Sequence, residues 1–204
     1  NGKPMIYWSI MALKKLKLFK KIIVSTDNDK IADIASKFGA VVPFKRPRRL
    51  SDDFAVTSDV MDHAIKFLKK KGESYENICC AYATTPFLKV KYLKQSYQIF
   101  IKSKKKFLFS ATEFEYPIQR SFYIRRNNQI KMLDNKNFNK RSQDLEKVYH
   151  DAGQFYWSKS NSWKNKPILF SSLSIPFIIP NYEVVDIDNI DDWKRAERMI
   201  KYLD

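Results

Sequence analysis

Glycine is scarce, with 4 residues in a chain of 204, where average usage would supply about 14. Taken alone, that scarcity argues against a glycine-rich loop wrapped around phosphates. Cysteine is scarcer still, and the 2 present, Cys79 and Cys80, are adjacent. Neighbours on a strand point to opposite faces, so the pair forms neither a disulfide nor a chelate. Two buried thiols in a cytoplasmic protein is the plain expectation. No uncharged apolar run of about 18 residues occurs, so no membrane span is expected, nor do the first residues read as a secretory leader. No Ser-His-Asp, zinc-spacing or Walker pattern is present.

Apolar material is plentiful. Hydrophobic residues make up 44% of the chain and aromatics 15%, which excludes disorder for most of it. The length suits one compact domain with a substantial core. No internal repeat or low-complexity linker divides it.

Positive charge is in excess, 38 basic against 22 acidic side chains for a formal +16. Nucleic acid or an anionic glycan would be one partner for such a chain. However, 29 of the basic residues are lysine and only 9 arginine, whereas base readout and bidentate phosphate contacts favour arginine. Lys14, Lys15, Lys17, Lys20 and Lys21 surround Leu13, Leu16, Leu18 and Phe19, and Lys69 to Lys71 fall at a helix end, where cations complement the macrodipole. A solvated lysine surface is favoured over a dedicated anion-binding face.

Along the chain, strand and helix patterns alternate. Residues 21–27 form an apolar run ending in polar residues, the pattern of a buried strand leading to a site-facing loop. Residues 29–38 carry Ile31, Ala32, Ile34, Ala35 and Phe38 at helical spacing, stopped by Gly39. A short extended stretch follows at 41–47, then a helix from Thr57 bearing Val60, Met61, Ala64, Ile65 and Leu68. Residues 77–83 read as a second buried strand, 89–103 as a long helix and 107–112 as a third strand. Further strands are expected at 154–157, 177–179 and 184–186, before an amphipathic helix from Ile190 to Leu203. The alternation predicts an α/β sheet with helices on both faces. Residues 113–150 break the rhythm and suit an insertion.

Asp186 and Asp188 follow an apolar run. Alternate residues at a strand end can aim two carboxylates the same way, and paired hard oxygens suit Mg²⁺ bridging substrate phosphates. The plainer alternative is capping of the last helix by Asp188 or Asp191. Ser25, Thr26 and Asp27 end the first strand, where open α/β sheets place ligands; helix capping by Thr26 or Asp27 is the alternative. Arg46 could clamp a triphosphate, or belong to an exposed basic loop. Thr57 and Ser58 open a helix whose N-terminal amides could meet an anion. Thr84, Thr85 and Pro86 end the second strand and could be a simple turn. His63 reads as a structural histidine. His150 and Asp151 could pair imidazole with carboxylate, provided the neighbours touch.

Taken in order, several strings resemble one family. They are NGKPMIYWSI (1–10), Ser25-Thr26-Asp27, Arg46-Pro47 to Leu50-Ser51-Asp52-Asp53, Asp62-His63-Ala64-Ile65, and Ala83-Thr84-Thr85-Pro86-Phe87-Leu88. Arg141-Ser142-Gln143-Asp144-Leu145, HDAGQFYW (150–157) and Asp186-Ile187-Asp188 to Asp192-Trp193 complete the set. This ordered set resembles the acylneuraminate cytidylyltransferases, and HDAGQFYW with YPIQR (116–120) most resembles the pseudaminic acid branch. The likeness spans essentially the whole chain.

The resemblance implies a Rossmann-like nucleotidyltransferase with a mostly parallel sheet. It implies a cytoplasmic enzyme joining CTP to a nine-carbon acidic sugar, with legionaminic or N-acetylneuraminic acid as rival substrates to pseudaminic acid. Asp186 and Asp188 match the family's Mg²⁺ carboxylates. Ser25, Asp27, Arg46, Asp53 and Thr57 match its CTP-binding region, and Thr84, Thr85, Arg141, Gln143 and Tyr156 its sugar side. The resemblance also implies a homodimer, built in that family on the excursion that corresponds to 113–150. Family members open with a strand and a glycine-, arginine- and lysine-rich phosphate loop that would end just ahead of Asn1. The corresponding expectation is that the chain as written does not turn over CTP, and that about 20 to 25 upstream residues restore activity.

Overall fold

The computed structural model describes residues 2–203. Its strands, numbered along the chain, are β1 (Asn77–Ala81), β2 (Phe107–Glu113), β3 (Phe122–Ile124), β4 (Ile130–Met132), β5 (Tyr149–Lys159) and β6 (Ser174–Ile178). The main sheet has the order β1-β5-β2-β6, and β3 and β4 form a separate hairpin. The α/β class is as expected, but this sheet is mixed rather than mostly parallel. Only β2 and β6 pair in parallel, while β5 runs antiparallel to both β1 and β2. The excursion explains the reversal. It leaves the sheet at the end of β2 and returns beside it, Glu113 opposite Tyr149, so β5 must run back along β2.

Helices α1 (Met5–Leu16), α2 (Asp29–Lys37), α3 (Thr57–Lys70), α4 (Val90–Lys102) and α5 (Ile190–Leu203) complete the described chain. All but α1 fall where hydrophobic spacing predicts. Helix α1 starts after Pro4, whose φ of −58° already suits a helical first turn, and ends at Lys17 in the left-handed region at φ 55°. Its apolar residues are split in sequence between the N-terminal string and the lysine cluster, which hides the stripe.

Helices cover both faces of the sheet. On one, Ala12 of α1 and Leu93 and Phe100 of α4 pack with Leu108, Phe155 and Trp157. The Trp157 indole donates to Ser96 Oγ at 2.9 Å and stacks on Phe19. On the other, Met61 and Ile65 of α3 pack with Phe107, Phe109, Tyr156 and Trp163. Each large buried side chain contributes about 1.5–3 kcal/mol. Cys79 joins the first cluster and Cys80 the second, as strand alternation requires. Both thiols are free. Burial pushes Cys80 up to about 12 and raises Cys79 well above its ordinary value.

Two expected strands are absent as ladders. Residues 22–26 are extended but make only two isolated parallel bridges, Ile23 with Val41 and Thr26 with Lys45. Residues 184–186 pair with no strand. Their apolar character comes from packing, because Val184 and Val185 are buried in two different core clusters. Among the described residues no helix is long and apolar enough to cross a membrane.

Candidate active site

A cleft of about 670 Å³ separates residues 22–25 from β1 and the turn after it. Met61, Ala64, Ile65 and Leu68 of α3 close one side, and Ile10, Leu13, Phe19 and Trp157 the other. Val24 N–H donates to Val41 and Ile22 C=O accepts from it, so by alternation the main-chain groups of Ile23 and Ser25 face the cleft. Among the described residues, β1 is laddered on its β5 side alone. Ser25 Oγ is buried without a hydrogen-bond partner among these residues. Anything entering the cleft therefore meets apolar side walls and hydrogen-bonding strand edges.

Ser25, Arg46 and Thr57 all line this cleft. Arg46 Nε donates to Ser51 Oγ at 3.2 Å, and its guanidinium stands 3.7 Å from Asp27. Ser51 is anchored in turn to the Pro47 carbonyl. Asp53 is exposed on the loop between Ser51 and Thr57. Helix α3 begins after Val56 with no side-chain cap, which leaves first-turn amides available to an anion. The Thr57 hydroxyl lies 2.8 Å from the Tyr82 hydroxyl.

The turn after β1 is firmly tied. Thr85 is 1% exposed, donates to the Tyr82 carbonyl at 2.7 Å and meets Ser9 Oγ at 3.1 Å. Its hydroxyl thus holds the turn, while Thr84 is exposed. Tyr156 is buried and donates its hydroxyl to Asp151. Arg141 and Gln143 lie in the excursion, both exposed. The Arg141 guanidinium makes a bidentate pair with Asp144, at 2.7 and 3.0 Å. The YPIQR and RSQDL strings touch there, Arg120 donating to Ser142 Oγ at 3.3 Å.

Asp186 and Asp188 are exposed, and Asp186 packs against β5 at Gly153. Gly153 has φ +61°, and a Cβ there would stand 3.1 Å from Asp186 Oδ2. Only glycine allows both that backbone and that approach. The Asp186 carboxyl is raised above its ordinary value, first by desolvation and then by the charges of Asp188, Asp151 and Asp192. A divalent cation would relieve that repulsion, and hard carboxylate oxygens suit Mg²⁺. Capping of α5 falls to Asn189, whose Oδ1 accepts from Asp191 and Asp192 N–H. Asp188 is thereby left free of the capping role.

The histidines take lesser parts. His63 lies edge-on to Phe44 and is lowered by burial, then by Arg49, against Asp62. His150 Nδ1 lies 2.8 Å from the Asp151 carbonyl oxygen, so the imidazole meets that residue's main chain. The Asp151 carboxylate is turned instead to Tyr156 and the Gly153 amide. Tyr82 and Gly153 were not legible as site residues. A tyrosine directly after β1, next to the Thr84-Thr85 turn, is the one hint the sequence offers.

A family model described as Cytidylyltransferase matches residues 1–182. The chain belongs to the cytidylyltransferase family. It is a CTP-dependent cytidylyltransferase, and the relatives offer no support for a non-catalytic basic module. The pseudaminic acid cytidylyltransferase of Campylobacter jejuni subsp. jejuni serotype O:2 is 44% identical over 200 residues, which span 98% of this chain and 86% of that one. A CMP-N,N'-diacetyllegionaminic acid synthase of Legionella pneumophila is 28% identical over 218 residues, 98% of this chain and 86% of that one. Among solved structures, a CMP:2-keto-3-deoxy-manno-octonic acid synthetase complexed with CTP superposes with a TM-score of 0.67 at 11% identity. That match covers 98% of this chain and 89% of that one. It shows a shared Rossmann-like nucleotidyltransferase fold.

Proposed function

We propose that this cytidylyltransferase activates pseudaminic acid, converting CTP and the sugar to the CMP-sugar and pyrophosphate. The observation that carries the choice of sugar is the 44% identity to a pseudaminic acid enzyme, against 28% to a diacetyllegionaminic acid enzyme over similar spans. The anomeric hydroxyl oxygen attacks the α-phosphorus of CTP and loses its proton to solvent. The bond from that phosphorus to the bridging oxygen breaks, and pyrophosphate leaves.

Arg46 and the uncapped start of α3 at Thr57 are suited to the triphosphate, with Ser25 and Asp27 beside them and Asp53 exposed on the loop that leads to α3. Bound anion would compete with Asp27 for the Arg46 guanidinium, an exchange of one charged partner for another. Asp186 and Asp188 would hold Mg²⁺, which supplies charge neutralisation at the phosphate under attack. Thr84 and Gln143 are exposed and available to the sugar, and the exposed Arg141 suits its carboxylate in exchange for Asp144. Thr85 and Tyr156 act from behind them as supports. Positioning and electrostatics supply the rate, since such transfers need little covalent help from the protein.

The working unit is a homodimer built on the excursion. Strands β3 and β4 expose both faces, and Ile124 and Ile130 are 73% and 69% exposed. An isolated two-stranded hairpin is at best marginally stable in water, so a second copy is the natural cover.

Pyrophosphate release from CTP with pseudaminic, legionaminic and N-acetylneuraminic acids, measured on the chain as written and with about 20 to 25 upstream residues added, tests the reading. Pseudaminic acid should give the highest kcat/KM, and Asp188→Ala should lower the rate by about 100-fold or more without unfolding the chain. A preference for either other sugar would overturn the substrate assignment.

A further inference from the structure

Asp151 holds a carboxylate that the scheme above leaves unused, and each of its oxygens accepts a hydrogen bond. Oδ1 accepts from the Gly153 amide at 2.9 Å, and Oδ2 accepts from the Tyr156 hydroxyl. Tyr156 is 3% exposed. Burial, reinforced by the hydrogen bond to Asp151, pushes its phenol far above the ordinary value, so it remains a donor throughout the working pH range. Its ring lies against Tyr82, with centroids 5.5 Å apart. The Tyr82 hydroxyl in turn meets Thr57 Oγ1 at 2.8 Å. A continuous set of partly buried contacts therefore leads from Thr57, at the head of α3, to Asp151.

From Asp151 the same structure reaches Asp186. The Asp151–Gly153 hydrogen bond ends on the residue at which β5 turns into the left-handed region, and Asp186 rests on that residue. We propose that Asp151 is a positioning residue for the transfer reaction. Its carboxylate, braced by Tyr156 and Gly153, fixes the turn on which Asp186 rests and so sets the place and cation affinity of the Asp186–Asp188 pair. With one oxygen held by the Gly153 amide and the other by the Tyr156 hydroxyl, it acts through the turn that carries Asp186. Groups of this kind commonly change metal affinity or activity by about 10–100-fold when removed.

The inference rests on the reading of Asp186 and Asp188 as cation ligands, and Mn²⁺ separates the two. Titrating Mn²⁺ into the chain with CTP present, followed by electron paramagnetic resonance, reads binding without turnover. Thermal melting of each variant without metal is recorded alongside. Asp151→Asn should raise the Mn²⁺ dissociation constant by about 10-fold. Tyr156→Phe, which keeps the charge and removes the brace, should raise it by about 3-fold. A structural role alone would lower the melting temperature and leave Mn²⁺ binding within 2-fold of the parent; that result overturns the proposal. If Asp151→Asn does not fold, Tyr156→Phe decides by the same criterion. A parent chain that binds no Mn²⁺, while Asp188→Ala is equally silent, overturns the cation reading and this inference together.

Discussion

Strand β5 and the β3–β4 hairpin both carry several large apolar and aromatic residues, yet they end in opposite environments. From Ala152 to Ser158, β5 is buried without interruption, flanked by β1 and β2 and covered by helices on both faces. The hairpin exposes Phe122, Tyr123, Ile124 and Ile130. Composition alone does not separate the two. What separates them is the number of neighbours within the same chain: β5 has two strands and two helical layers, and the hairpin has one partner strand. The first region is complete in itself, while the second presents a surface that a further molecule can cover.

The strongest way to break that contrast is to remove the centre of the packed region. Trp157→Ala deletes an indole that touches Phe19 and Tyr97 and leaves Ser96 without its donor. It should cost about 3–5 kcal/mol, read as a shift of the denaturation midpoint. A loss below about 1 kcal/mol would mean the core is looser than its burial indicates.

A smaller effect is expected at the hairpin. Ile124→Glu combined with Ile130→Glu should leave the unfolding free energy of the monomer within about 0.5 kcal/mol while shifting sedimentation from dimer to monomer. A variant that unfolds, or one that stays dimeric, would show the hairpin is not the covered surface described above.

The smallest effect probes a site where the packed region is under electrostatic tension. Asp186 has a raised carboxyl, so it binds its proton more readily folded than unfolded. Its contribution to stability is complete below the unfolded carboxyl value of about 3.9 and is lost as pH rises through the folded value. Asp186→Asn should therefore raise the metal-free melting temperature slightly at pH 7, with the gain vanishing below about pH 4. A destabilised variant at pH 7 would show that hydrogen bonding to the carboxylate outweighs repulsion. Such a gain alongside lost activity would be the usual exchange at a functional site.

Local patterns carried much of the fold. Helices α2, α3, α4 and α5 follow from apolar spacing with stops at Gly39 and Gly72, because amphipathic periodicity is a property of the segment itself. Two failures share a cause. Residues 184–186 carry the apolar signature of a strand, but that signature reports burial, and burial here comes from two core clusters without pairing. Residues 22–26 are extended as predicted, yet bridge a single neighbour at two points. Ladder formation depends on what lies beside a segment, which no local window contains.

The same division runs through the site. The ordered strings carried the resemblance to a cytidylyltransferase, which the family match bears out, and that resemblance offered Arg46, Thr57, Asp186 and Asp188 as candidates. Tertiary structure decided which groups are spoken for. The pairing of Cys80 with Tyr156 brings Tyr82 and Tyr156 together, and the turn at Gly153 brings Asp186 onto β5. Thr85 holds a turn, Asp151 accepts two donors, and Arg141 waits on Asp144. Even the scarcity of glycine changes meaning in three dimensions. One of the four, Gly153, permits the close approach of Asp186, a role set by left-handed backbone and a 3.1 Å gap rather than by glycine count.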